Sequence, residues 1–472
     1  MGVSGLLPVL RPITERVNVS TLSGRRVGID GFAWLHRGGY ACALELATGT
    51  PTRAHITYFL HRINLLRHHG VVPVAVFDGA PLPMKADTNA ERRAARAEAK
   101  RAGEAALASG DRRAAAEYFQ RCVTVTPEMV ASVLAELRPL GVEAMVAPYE
   151  ADAQLAYLAA SGVVDAVITE DSDLVVYGVP TLIFKMSKFG DAERIRTADL
   201  PDVPDPPMRH STPDMLLWTA VLSGCDFFPG ISGLGIKRAH ALVRQFAGNL
   251  ARLLAFVASE PRLRVPPSFV EDFHRACLVF RHQVVWDPTA ARTVHLTPLS
   301  AAALRHLPPA MVAAEDRAEE SYAFLGVHPP AEISAAVVRG ELHPITHQPL
   351  VPLATTSMAA VRPPLAWRHR VGGAGLSASG PLPTASADLA TPSDSNGASQ
   401  PCIRTFFTST ASAAALRKPF KRPRSAVPRS EPSASPGEAA SSLDAAVLAV
   451  AQDVGALPAR HGGGSALETP SS

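Results

Sequence analysis

The sequence is short of the features that mark several large classes of protein. Its five cysteines, Cys42, Cys122, Cys225, Cys277 and Cys402, are an odd number with no C-x-x-C pair among them. That argues against a disulfide framework and against a structural zinc site. No stretch approaches the run of about 18 apolar residues that a membrane-spanning helix needs, and the N-terminus lacks the basic-then-apolar pattern of a secretory signal. A strong net charge is missing too. With 46 Lys and Arg against 43 Asp and Glu the balance is +3, so partners must be read from where charges cluster. The expectation is a soluble, intracellular protein without membrane contact, working as a monomer.

What is present is length and pattern. The 472 residues exceed one compact domain and suffice for a core of about 300 residues plus further segments. The first part of the chain alternates short apolar runs with helical patterns, the signature of an α/β fold with a mostly parallel central sheet flanked by helices. Expected strands are Arg25–Ile29, Val72–Phe77, Ala144–Ala147, Ala166–Thr169 and Thr181–Lys185. Met129, Val130, Val133, Leu134, Leu137 and Leu140 recur at helical spacing behind Thr126-Pro127, an N-cap followed by proline at the first helical position, and Gly141 closes the segment. Residues from Lys85 to Arg121 are rich in Ala, Arg and Glu, which predicts helix that is mostly exposed. A proline-rich connection, 201–207, leads to a helix from Thr212-Pro213 through Leu222, a glycine hairpin from Gly230 to Gly235, helices to 285 and a peripheral wrap over 286–350. From 351 to 472 the composition turns to Ser, Pro, Ala and Gly, which cannot bury enough surface to offset chain entropy, and a disordered tail is expected.

The carboxylates fall where the strands end. Asp30 and Asp78 close the first two expected strands, Glu150 and Asp152 open a helix after the third, and Asp171 and Asp173 follow the fourth. In open α/β sheets ligands bind outside the carboxyl ends of the strands, so four segments deliver six acids to one edge. Two carboxylates about 4 Å apart repel by several kcal/mol at an effective dielectric near 20, and such a cluster calls for cations or shared protons. Oxygen ligands without clustered His or Cys point to Mg²⁺, with Mn²⁺ as a substitute, and two such ions suit phosphodiester cleavage. Asp226, just beyond the helix ending at Leu222, is a candidate seventh ligand. The Asp171-Ser-Asp173 pair alone would also fit a phosphatase with an aspartyl nucleophile, but that reading needs one acidic loop and the chain offers four.

Soon after Asp78 come Lys85, Arg92, Arg93, Arg96, Lys100 and Arg101, with Arg92 and Arg96 one helical turn apart. Beside the acids they are placed to neutralise phosphates and to hold a diester. Gly233-Leu-Gly235-Ile-Lys237 lacks the ending of a Walker loop and has no strand before it, and is expected to present backbone N–H groups to a phosphate.

In Met1-Gly2-Val-Ser-Gly-Leu-Leu7, Val-Phe-Asp78-Gly, Ala147-Pro-Tyr-Glu-Ala-Asp-Ala-Gln-Leu-Ala-Tyr-Leu158, Ile168-Thr-Glu-Asp-Ser-Asp-Leu174 and Leu222-Ser-Gly-Cys-Asp226, the chain resembles the XPG family of structure-specific 5′-nucleases, most closely its exonuclease-one branch. The resemblance implies a PIN-like nuclease core built from regions 1–99 and 138–225, a helical arch over 85–122 and a helix-two-turn-helix DNA-binding region over 212–285. It implies metal ligation by Asp30, Asp78, Glu150, Asp152, Asp171, Asp173 and Asp226, and contact of Lys85 and Arg92 with the scissile phosphate. It further implies DNA contacts by Gly2, Arg93, Arg96, Arg121, Gly233, Gly235 and Lys237, His36 in a wedge at the duplex junction, and K⁺ at the glycine hairpin. Phe32 stands where relatives often have Tyr, which keeps base stacking and loses a hydroxyl. The implied activity is 5′-to-3′ removal of nucleotides from double-stranded DNA with 5′ ends, nicks or flaps, with flap cleavage as a second activity, in mismatch repair, recombination and end resection. A flap endonuclease or junction resolvase of the same family, or a silent DNA-binding scaffold, are the alternatives.

In the tail, Gln400-Pro-Cys-Ile403-Arg-Thr-Phe406-Phe407 fits Q-x-x-[ILM]-x-x-[FY]-[FY], the pattern of peptides that dock on the sliding clamp PCNA. The basic run 417–424 reads as a nuclear import signal, and the mismatch-repair proteins are further expected partners. Replacing Phe406 and Phe407 by Ala in a tail peptide should abolish its binding to the clamp in a fluorescence polarisation titration; unchanged affinity would remove the motif.

Overall fold

A computed structural model describes residues 2–352 apart from 247, 301–303, 305–306, 309–310 and 313–320. The clamp motif, the basic run and nearly all of the expected disordered tail lie outside the described residues. Seven strands form one sheet: β1 (Glu15–Asn18), β2 (Arg26–Asp30), β3 (Val72–Phe77), β4 (Glu143–Val146), β5 (Ala166–Ile168), β6 (Thr181–Phe184) and β7 (Asp191–Arg196). Their order is β1-β7-β6-β5-β2-β3-β4. Strands β2 to β6 run parallel, and β7 is antiparallel to both β6 and β1. A hairpin of β8 (Val284–Asp287) and β9 (Arg292–His295) stands apart.

The helices before the second half of the sheet are α1 (Leu6–Leu10), α2 (Gly31–Tyr40), α3 (Ala43–Thr48), α4 (Ala54–His68), α5 (Ala86–Ala108), α6 (Arg112–Cys122) and α7 (Pro127–Leu137). After β4 come α8 (Ala151–Ala160), α9 (Asp173–Val176), α10 (Pro213–Ser223), α11 (Ile236–Gln245), α12 (Leu250–Ser259), α13 (Phe269–His282) and α14 (Ala331–Val338).

Alternation along the strands divides the core. On β3, Ala75 and Phe77 join Phe59, Ile63, Val133 and Leu137 under α4 and α7, while Val74 and Val76 join Leu155, Leu158 and Leu10 under α8 and α1. A further core gathers Val221, Leu253, Phe269 and Phe273 from α10, α12 and α13, and reaches across to Leu82 and Tyr149 beside the sheet. The helix starts follow their capping residues. Thr126 accepts from the Met129 N–H (3.4 Å), Thr212 from the Met215 N–H (3.2 Å), and a proline follows each.

The five expected strands are all present with small shifts at their ends, and the segment expected to be exposed helix forms α5 and α6. Only Gly103 of α5 is buried, whereas α6 buries Ala115 and Phe119. Strands β1 and β7 and the β8–β9 hairpin were not expected. β7 is an edge-side strand whose burial alternates weakly, with Asp191 and Arg196 exposed, so its sequence reads as polar loop. The wrap accordingly begins as a hairpin at Val284 and contains α14.

Close approach governs the join between β3 and β4. Gly79 N–H donates to the Tyr149 carbonyl at 2.7 Å, and a Cβ on Gly79 would stand 1.9 Å from the Ala147 carbonyl oxygen. Gly79→Ala should therefore lower stability by about 2 kcal/mol, as overpacking does, measurable as a reduced Cm in urea unfolding; an unchanged midpoint would contradict this contact.

Candidate active site

The site grows from strand ends. Asp30 is the last residue of β2 and N-caps α2, its Oδ1 accepting from the Ala33 N–H at 3.0 Å, while Oδ2 accepts from the Thr169 hydroxyl at 3.3 Å. Asp78 follows β3 and accepts from the Ala151 N–H at 2.7 Å, where α8 begins. Glu150 occupies the N-cap position of that helix and Asp152 lies in its first turn. Asp171 follows β5, accepts from the Asp173 N–H on Oδ1 at 3.0 Å, and donates its own N–H to the Thr169 hydroxyl oxygen at 2.9 Å. Anions at helix N-termini and on backbone N–H groups are favourably placed. The order of the sheet explains the gathering, because the chain leaves β2 on one side for β3 and returns on the other as β5, which opens a crevice at the carboxyl ends.

Asp226 arrives from elsewhere, on the loop after α10 and so from the helical core. Lys85 joins it to the sheet: its Nζ stands 2.5 Å from Glu150 Oε1 and 3.0 Å from Asp226 Oδ2, and Arg92 NH2 lies 3.1 Å from each Asp226 carboxylate oxygen. Lys85 is thus a buried counter-ion within the acids, its side chain 12% exposed, where a place on the arch surface was expected. It ends a short turn, Pro83–Lys85, ahead of α5.

The acids feel one another. Burial, with Asp78 and Asp171 nearby, pushes the Asp30 carboxyl up to about 7, and burial, with Glu150 nearby, pushes Asp78 up to about 6. Burial likewise raises Asp152, Asp171 and Asp173. Asp226 goes the other way: burial pushes it up, but Lys85 and Arg92 together outweigh that and hold it below the ordinary range. Lys85 is pulled down by burial and carried higher by Glu150 and Asp226. Asp173 Oδ1 is buried and has no hydrogen-bond partner. Among the described residues no three Asp, Glu, His or Cys side chains already form a metal cage. The donor set is nevertheless all hard oxygen and leaves Asp173 Oδ1 buried without a partner, and it fits a cation of the Mg²⁺ class.

The other expected site residues divide between two places. Phe32, Arg93 and Arg96 line a cavity of about 370 Å³ together with Asp78, Lys85 and Arg92. His36 stacks on Phe32 at 6.4 Å between ring centroids, and its Nε2 lies 3.2 Å from the Val123 carbonyl. Gly2 has φ +86°, and a Cβ there would meet Asp171 Oδ1 at 2.1 Å and Asp173 Oδ1 at 2.7 Å, so only glycine lets this backbone lie against the two aspartates. Arg121 is exposed at the end of α6, its guanidinium 5.7 Å from the Tyr118 ring. Gly233, Gly235 and Lys237 line a separate cleft with Ser4 and Arg238; Gly235 precedes α11 with no side-chain cap, and Lys237 pairs with Asp205 at 2.6 Å.

Three participants were not anticipated. Thr169 holds both Asp30 and Asp171; its place beside the Glu-Asp-Ser-Asp run was the available signal. Gln283 donates to Glu150 Oε2 at 3.2 Å from the C-cap of α13, far along the chain, and no spacing announces it. The Tyr177 hydroxyl is buried near Glu150 and Asp152 without a hydrogen-bond partner.

A mostly parallel sheet that gathers carboxylates at one edge beneath a basic helical pair defines the class. The XPG N-terminal domain matches residues 1–99 and the XPG I-region residues 141–226. The chain is 39% identical to Exonuclease 1 of Arabidopsis thaliana over 361 residues, 76% of this chain and 47% of that protein. It is 34% identical over 289 residues to the DNA damage-inducible protein DIN7 of Saccharomyces cerevisiae, 61% of this chain and 67% of that protein. The chain belongs to the XPG family. It spans about half the length of several curated relatives it matches, 47%, 40% and 52% of the Arabidopsis, rice and fission-yeast proteins. A solved catalytic core of Rad2 in complex with DNA substrate aligns over 71% of this chain and 99% of that chain, at 19% identity and a TM-score of 0.46.

Lys85→Ala removes the cation that Glu150 and Asp226 share, and leaves buried carboxylates unmatched. Stability in EDTA should fall by about 3 kcal/mol, read from urea unfolding, and added Mg²⁺ should narrow the loss; a variant as stable as its parent in EDTA would contradict the pairing.

Proposed function

We propose that the protein is a Mg²⁺-dependent nuclease that removes nucleotides 5′ to 3′ from double-stranded DNA and cuts 5′ flaps as a second activity, in mismatch repair, recombination and end resection. The observation that carries this reading is the convergence of seven carboxylates, from four strand ends and the helical core, beside a basic arch. The names of the relatives that match 76% and 63% of this chain, Exonuclease 1 among them, support it.

Asp30, Asp78, Glu150, Asp152, Asp171, Asp173 and Asp226 would hold the metal, two Mg²⁺ ions for which Mn²⁺ substitutes, and some of these acids would act through water. When bound, the ions supply an activated water and charge stabilisation at the phosphodiester. The protein's own groups do the positioning. The guanidinium of Arg92, whose single nitrogen NH2 now donates to both oxygens of Asp226, is free to exchange that carboxylate for a phosphate. Lys85, kept charged by Glu150 and Asp226, offers a fixed ammonium at the same place. Phe32 gives a base an aromatic face, and Arg93 and Arg96 meet neighbouring phosphates. Water attacks phosphorus in line and O3′ leaves, so each released nucleotide keeps its 5′-phosphate.

At the second cleft, the uncapped N-terminus of α11 with Gly233, Gly235 and Lys237 would grip the uncut duplex, with K⁺ at the hairpin. His36 beside Phe32 would stand at the duplex junction, Gly2 would let the strand near Asp171, and Arg121 would assist from α6. Gln400, Ile403, Phe406 and Phe407 would dock on PCNA, and the basic run at 417–424 would direct the protein to the nucleus.

Digestion of end-labelled duplexes bearing a nick, a recessed 5′ end or a flap tests the reading. Asp173→Ala should lose at least about 10³ in rate while still binding the same DNA in EDTA; near-normal turnover by that variant would overturn the assignment.

A further inference from the structure

The last described stretch of chain reaches the candidate active site. After α14 the backbone turns at Gly340, with φ +67°, where a Cβ would stand 2.2 Å from Leu134 Cδ1 of α7. The loop beyond is held by its own bonds. Leu342 bridges Pro349, the Leu350 N–H donates to the Glu341 carbonyl at 2.8 Å, and the His343 N–H donates to the Gln348 carbonyl at 2.8 Å. His343 Nδ1 accepts from the N–H groups of Ile345 and Thr346, each at 3.1 Å. Residues 340–350 thus form a strap seated on α7 beside β4, the strand next to β3 and Asp78.

The strap's apolar side chains line the cavity already described. Leu342, Pro344, Ile345 and Leu350 share it with Phe32, Asp78 and Glu150 and with the arch arginines. Ile345 is 59% exposed, a large aliphatic held at solvent by a bonded loop. The cavity, about 370 Å³, falls in the range that holds one small ligand. An aliphatic wall, an aromatic ring and guanidinium groups together are the surface that seats a base with its phosphate.

We propose that the strap completes the substrate site, forming with Phe32 a seat for the base on the 5′ side of the scissile phosphate, and that Ile345 is the specificity-determining residue that meets this base. The inference rests on the nuclease reading of the same site.

The probe is a duplex with a recessed 5′ end whose terminal base is 2-aminopurine. Binding in EDTA should change its fluorescence with the wild-type protein and change it much less with Ile345→Ala, while Ile345→Leu retains the wild-type response. With Mg²⁺, Ile345→Ala should lower kcat/KM on this duplex by about fivefold, the lower end of what a lost base contact costs. On a duplex whose 5′-terminal nucleotide is abasic it should match wild type. An equal loss on both duplexes, or no loss on either, overturns the proposal. If the wild-type protein cuts neither duplex yet the EDTA signal depends on Ile345, the nuclease reading fails and the base seat stands; an active wild type with no dependence on Ile345 removes the seat alone.

Discussion

The repulsion among carboxylates that the fold itself drives together is the constraint on which the rest depends. Burial alone would push a lone aspartate toward its neutral form, and here several buried acids raise one another further. The chain offsets this cost with fixed partners rather than with water. The N–H groups of Ala33, Ala151 and Asp173 take up lone pairs, three helices begin at the acids, and Lys85 brings a full positive charge between Glu150 and Asp226. What remains unsatisfied, Asp173 Oδ1 above all, is demand for a cation.

This demand shapes the local architecture. Strand ends must deliver their acids at one height, so β3 and β4 are tied by the Gly79 and Tyr149 bond, and Gly2 lies where any side chain would strike Asp171. The arch carries few apolar side chains to the core, which leaves its arginines available to a polyanion, and it is fastened chiefly through α6, by Phe119 against Ala43 and Val123. Basic helix and acidic crevice are complementary parts, and they touch through Arg92 on Asp226 as well as through Lys85.

Much of this was legible in the sequence because it rests on local rules. Val72–Phe77 is a continuous apolar run and became β3 without change; Thr126-Pro127 and Thr212-Pro213 began helices as capping chemistry requires. The acids stood out because each follows an apolar run. Pairings set by tertiary contact were not legible. Lys85 was expected beside the acids and at the scissile phosphate, but nothing in its spacing places it between Glu150 and Asp226. Gln283 meets Glu150 from the end of α13, 133 residues away. β7, Asp191–Arg196, carries too many polar residues on an edge-side strand to read as sheet, and the strap beyond α14 has no periodicity at all.

One carboxylate is mounted differently from the rest. Asp226 hangs from the loop after α10, in the core of Phe269 and Phe273, whereas its companions ride on the sheet. The constellation is therefore assembled from two hydrophobic bodies, which meet near Tyr149 and Leu82 and along α10, whose Leu216 and Ala220 pack with the sheet while Leu217 and Val221 face the helical core. Warming that loosens the helical body would displace this single acid before the sheet loses its shape, so the proposed nuclease activity would fade ahead of the secondary structure along the temperature axis.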